Sequence, residues 1–154
     1  RDVRFSKNKS PYKTNVGIQF RHEVGKDVHA PGFYLHIAAD EIFLGVGTWQ
    51  PDRDSLAAIR DHIVTKPGPY LDAIEHEPFT EFYQLGGTKL IRPPKGYDKD
   101  HPLIEEIKRK DFIALCQLQE SDLYQPDFCK MVASRFGRAQ PFQKFICEAL
   151  GLRF

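Results

Sequence analysis

Apolar side chains fall at every second position early in the chain and at every third or fourth later on. In NVGIQFRHEV, Val16, Ile18 and Phe20 alternate with other residues, which predicts a half-buried strand. GFYLHIAADEIFLGVGTWQ carries the clearest pattern: Phe33, Leu35 and Ile37 alternate with Tyr34, His36 and Ala38, and a second alternating run follows Ala39 and Asp40. There Ile42, Leu44, Val46 and Thr48 share one face, and Phe43, Gly45, Gly47 and Trp49 share the other. The stretch predicts a β-hairpin. Its two same-face glycines leave room against the backbone for a packed helix or a ligand.

The period then changes. PDRDSLAAIRDHIV begins with Pro51 and Asp52, which suit a helix start, and sets Leu56, Ile59 and Ile63 on one stripe. Pro67, Gly68 and Pro69 are expected to end that helix, and YLDAIEHEPFTEFYQ resumes a shorter helical pattern interrupted at Pro78. LGGTKLIRPPKGYDKDHP reads as loop with one short strand over 89–92. HPLIEEIKRK predicts a short helix capped by Asp100, DFIALCQL a strand, and the chain after Pro126 two helices separated near Gly137 and Pro141. Early strands and late helices point to an α+β fold, a mainly antiparallel sheet with a central β-hairpin and helices packed on one face. No internal repeat is visible, and 154 residues are expected to form a single domain.

With 41% hydrophobic residues, 28% charged and twelve Phe, the composition suits a bulky core and excludes disorder. Net charge is only +1, but residues 1–26 carry +5 and the remainder −4. A basic end on a near-neutral body points to an anion. Cys116, Cys129 and Cys147 match no zinc or redox spacing and read as reduced, mostly buried thiols of a cytoplasmic protein. No apolar run approaches the roughly 18 residues of a membrane span, and the start is not a signal peptide. The chain does not begin with Met, so a trimmed or fragmentary form is expected.

The blocks RDVRFSKNKSPYKT, GFYLHI, FLGVGTWQPDRDSLAAIRDHI and RPPKGYDKDHPLIEEIKRKDF, in this order, resemble the signature blocks of domain of unknown function family 2461, a set of conserved hypothetical proteins. The resemblance covers most of the chain and brings no activity with it. It implies a further helical stretch ahead of the arginine-rich block, with an Asn-rich and Trp-Phe element that this chain lacks.

Three groups of residues carry candidate chemistry. Arg1, Arg4, Lys9 and Lys13, with Tyr12 among them, offer guanidinium and ammonium donors to phosphate or carboxylate oxygens, or form a solvated surface loop. Arg92 and Lys95, flanked by Lys89 and Lys99, repeat that chemistry on a Pro-Pro-Lys-Gly loop and would complete a cationic pocket if the two loops converge. Tyr34, His36 and Trp49 project from the glycine-bearing hairpin face as a ligand wall, unless a helix covers that face and His36 is a core residue. Arg60, on the helix after Trp49, is expected to reach the same face.

Other chemistry finds no support. Gly86, Gly87, Thr88 and Lys89 lack the spacing of a phosphate-binding loop, and Lys26 stands where a zincin helix starting at His22 needs its second His. No nucleophile elbow or activated Cys is present, and no metal or cofactor is expected. The sequence thus reads as an uncharacterised domain that binds an anionic, phosphate-bearing small molecule through basic loops. A nucleic-acid-binding module is the rival, and a phosphate-ester hydrolase or transferase using His36 is the third reading. Whether the chain is an enzyme, and its oligomeric state, are left open.

Overall fold

The computed structural model describes residues 13–22 and 30–154. Five strands, β1 (Asn15–Arg21), β2 (Gly32–Ala38), β3 (Ile42–Thr48), β4 (Gln84–Leu85) and β5 (Phe112–Gln117), pair antiparallel in the order β1-β2-β3-β5-β4. Seven helices accompany them among the described residues: α1 (Arg53–Thr65), α2 (Pro67–Glu75), α3 (Glu77–Thr80), α4 (Ile104–Ile107), α5 (Glu120–Leu123), α6 (Phe128–Arg138) and α7 (Gln140–Ala149). This is the expected α+β architecture with the β2–β3 hairpin inside the sheet. None of the described helices is long and apolar enough to cross a membrane.

Alternation decides which side of the sheet is core. Leu35, Leu44, Val46, Phe112 and Ala114 are buried, and against them pack Ile59 and Ile63 of α1, Tyr70 of α2, and Phe142 and Ile146 of α7. Burying each large apolar side chain contributes roughly 1.5–3 kcal/mol. Phe136 of α6 meets Phe33 at a ring separation of 4.9 Å, which extends the helix layer toward β2. That layer thins at β1, where Phe20 meets Phe136 edge-on at a ring separation of 6.0 Å but Val16, Ile18 and Phe20 stay 55%, 42% and 53% exposed.

Local chemistry sets the ends of the elements. Asp52 caps α1 by accepting the Ser55 N–H at 2.8 Å. Pro67 does not close a loop but opens α2, because the first helical position has no use for the N–H that proline lacks. The strand expected over 89–92 shrinks to one bridge, Lys89 to Arg109, and pairing falls instead on Gln84 and Leu85. Asp100 does not cap α4, since the helix starts only at Ile104 and His101 Nδ1 accepts the Leu103 N–H. Gly137 lies inside α6 and Pro141 in the first turn of α7, so the break between them falls at Ala139.

Two contacts position the end of β3. Gly47 has φ +113°, and a Cβ there would stand 2.0 Å from the Phe112 carbonyl oxygen, so only glycine lets β3 approach β5 so closely. Just beyond, the Asp111 carboxylate accepts N–H groups from Gln50 and Thr88 and the Thr88 hydroxyl, each at 3.0 Å. One buried side chain thereby ties the turn after Trp49 to the 86–88 loop.

Candidate functional site

A cleft of about 430 Å³ lies on the sheet face opposite the core, and none of the described residues lining it belongs to a helix. Its floor follows from register. Gly45 pairs with Tyr34 on one side and with Leu115 on the other, and Gly47 pairs with Gly32 and Ile113. The middle strand therefore presents bare backbone between side chains of β2 and β5, forming a trough. A Cβ at Gly45 would sit 3.6 Å from Tyr34 and 3.7 Å from Leu115, in ordinary van der Waals contact with both, so a side chain there would take up the floor of the trough without a clash. Trp49, half exposed, stands at one end, and Arg21 and Gln19 of β1 add polar groups at the rim.

At the other end lies an ordered polar group. His36 stacks on Phe43 with ring centroids 4.8 Å apart and planes 14° apart, which fixes the imidazole edge. Its Nδ1 is 3.0 Å from the Tyr34 hydroxyl, and its Nε2 lies 3.8 Å from the Glu41 carboxylate. Burial, and after it the Glu41 charge, push the Tyr34 hydroxyl above its usual value, so the phenol keeps its proton at neutral pH. The arrangement can hold a flat apolar body on the trough and meet one polar substituent at Tyr34 and His36.

The residues singled out from sequence are thus distributed unevenly. His36 and Trp49 meet in the cleft, together with Tyr34. Arg60 does not reach that face: only 8% exposed, it donates from Nε to the Ile107 carbonyl and from Nη2 to the Arg109 carbonyl, both at 2.8 Å. Arg92 and Lys95 are exposed on a loop that Tyr97 pins to α1 through a 2.7 Å hydrogen bond to Asp61, and neither lines the cleft. Burial and the Asp61 hydrogen bond raise Tyr97 to about 12, so it donates. Lys89 pairs with Glu105 and Glu106 at 3.7 and 3.6 Å, and Lys99 with Asp100 at 3.9 Å.

Lys13 borders a separate hollow by the β2–β3 turn, beside Asp40, Glu41 and Glu120. Arg1, Arg4, Lys9 and Tyr12 lie outside the described residues. Among the described residues no cluster of three His, Cys, Asp or Glu side chains is placed to hold a metal ion.

Ile113, Leu115, Arg21 and Glu41 line or border the site without having been picked out. DFIALCQL is apolar on both alternating faces, which signals a strand whose second face is also covered or lines a cavity. Glu41 follows the hairpin turn and reaches His36 only because β2 and β3 pair with the register His36 to Phe43. The family model of conserved hypothetical proteins designated DUF2461 matches residues 1–145 of the 154. No curated protein and no solved structure matches the chain.

Proposed function

This chain belongs to the DUF2461 family of conserved hypothetical proteins, and from that premise we propose that it binds a small molecule with a flat apolar body and one anionic group. The body lies in the trough over Gly45, and the anion faces the basic rim at Arg21. What carries this reading is the glycine floor between Tyr34 and Leu115, because strand glycines there keep a volume suited to a ligand free of side chains. The +5 balance of residues 1–26 supports the anion. The reading moves the ligand from the two basic loops to the sheet face, where Arg92 and Lys95 do not contribute. Buried Cys116 and Cys147 fit a protein of a reducing, cytoplasmic compartment.

Trp49 is the only tryptophan and sits at the cleft, so its fluorescence reports occupancy. Titration with benzoate, a nucleoside monophosphate and inorganic phosphate is expected to give saturable changes with the first two and none with the third. Gly45→Leu, whose side chain would fill the trough, should raise the Kd at least about tenfold, or about 1.4 kcal/mol, with the melting temperature nearly unchanged. Absence of any saturable response, or full binding by Gly45→Leu, would defeat the proposal. Single-stranded oligonucleotide binding that weakens steeply with salt would instead favour the nucleic-acid reading.

A further inference from the structure

The Tyr34, His36 and Glu41 line bears on which ligand the cleft accepts, and the inference rests on the binding reading above. Glu41 faces His36 Nε2, and a carboxylate favours a proton on the nitrogen nearest to it. With Nε2 carrying the proton, Nδ1 of a neutral imidazole is an acceptor. The Tyr34 hydroxyl, 3.0 Å away, is then committed as donor to that nitrogen. Its one hydrogen is used, and the phenolic oxygen is left with acceptor lone pairs alone.

Both neighbours hold this arrangement in place. Phe43 fixes the imidazole plane by stacking, and the Tyr34 ring lies over Gly17 so closely that a Cβ there would come 2.5 Å from the hydroxyl. The phenol therefore has a defined seat over β1. Four residues along β1 from Gly17, over which the phenol lies, stands Arg21. Four residues of strand span about 13 Å, which a para-substituted ring and the length of the Arg21 side chain cover together.

We propose that the cleft selects a ligand that donates a hydrogen bond to the phenolic oxygen of Tyr34, with His36 as the positioning residue and Glu41 setting its tautomer. The chemical class is an aryl carboxylate or aryl phosphate bearing a hydroxyl or amine at the end opposite the anion. A ligand with only an acceptor at that end meets oxygen with oxygen and leaves a polar atom unpaired.

The probes are benzoate, 4-hydroxybenzoate and 4-methoxybenzoate, in which the methyl group removes the donor. Wild-type protein should bind the hydroxy compound at least about tenfold more tightly than the methoxy compound, because the latter leaves the phenolic oxygen unpaired. In Tyr34→Phe the ratio should fall to about one. His36→Leu should also lose discrimination, because the phenol is then free to donate. His36→Asn should restore part of it, since its amide oxygen can accept in place of Nδ1.

Equal affinity for the three probes in wild type, together with loss of all binding in Gly45→Leu, overturns the donor preference and leaves the small-ligand reading standing. Discrimination that survives Tyr34→Phe also overturns the preference. No saturable binding of any of the three probes overturns the donor preference, and overturns the small-ligand reading as well where the nucleoside monophosphate also gives none.

Discussion

Arg60 sits in α1 next to the core position Ile59, yet its guanidinium reaches the carbonyls of Ile107 and Arg109, nearly fifty residues away. A buried forked donor of this kind joins α1 to the segment between α4 and β5. Arg60→Met should cost about 2–4 kcal/mol, because it removes two hydrogen bonds from a charged donor and leaves buried carbonyls unpaired. Arg60→Lys should recover only part of that, since an ammonium lacks the fork. Urea unfolding measures both, and a loss under about 0.5 kcal/mol for the methionine variant would contradict the role. From sequence, Arg60 was legible as a polar neighbour of an apolar stripe, but its acceptors were not, because they are backbone groups distant along the chain.

At the scale of elements, the two glycines of β3 look equivalent in sequence and are not. Gly45 has ordinary space around a Cβ, whereas Gly47 combines positive φ with an impossible approach to Phe112. Gly45→Ala should leave stability within about 0.5 kcal/mol, while Gly47→Ala should lose about 3 kcal/mol or more, or fail to fold, as thermal melts of the two variants will show. Similar losses in both would mean that strand propensity, and not the β3–β5 approach, sets the requirement.

Strands β1, β2, β3 and β5 were legible because a period of two survives any tertiary context that buries one face, whereas the two-residue β4 is too short to show a period. The prolines marked the helix breaks correctly, but Pro67 and Pro141 stand in the first turn of the following helix, which proline fits as well as it fits a loop. The empty face was half legible. Gly45 and Gly47 announced a close approach, but whether a helix or open space met them depended on which side the later helices would choose.

For the whole molecule, stability in acid follows from two carboxylates. Burial pushes Asp111 up, but hydrogen bonds from Thr88 and Gln50 outweigh it and hold the group below its ordinary 3.8. Glu106 is likewise raised by burial and lowered further by Arg109 and Tyr70, ending below 4.5. The unfolded chain therefore takes up these protons first as pH falls, and their stabilisation, complete above the unfolded values, drains away below about pH 4.5. The urea midpoint should drop through that range, and Asp111→Asn should show a shallower drop from a lower starting point. An unchanged slope in the variant would remove Asp111 from the account.

The dispersal of cations also belongs to this scale. Lys89 and Lys99 are matched to acids near them in the chain, and Lys13, Arg92 and Lys95 occupy places apart from the cleft. Charge counts along a sequence cannot foresee this, because convergence is a property of the assembled fold.

The three thiols are placed unequally with respect to the two sides of the sheet. Cys116 and Cys147 are buried, and burial raises both, while Cys129 is exposed at the start of α6 in the helix layer. A maleimide dye or a thiol-coupled sensor chip would thus attach at a single point, from behind, and leave the trough turned toward the solution.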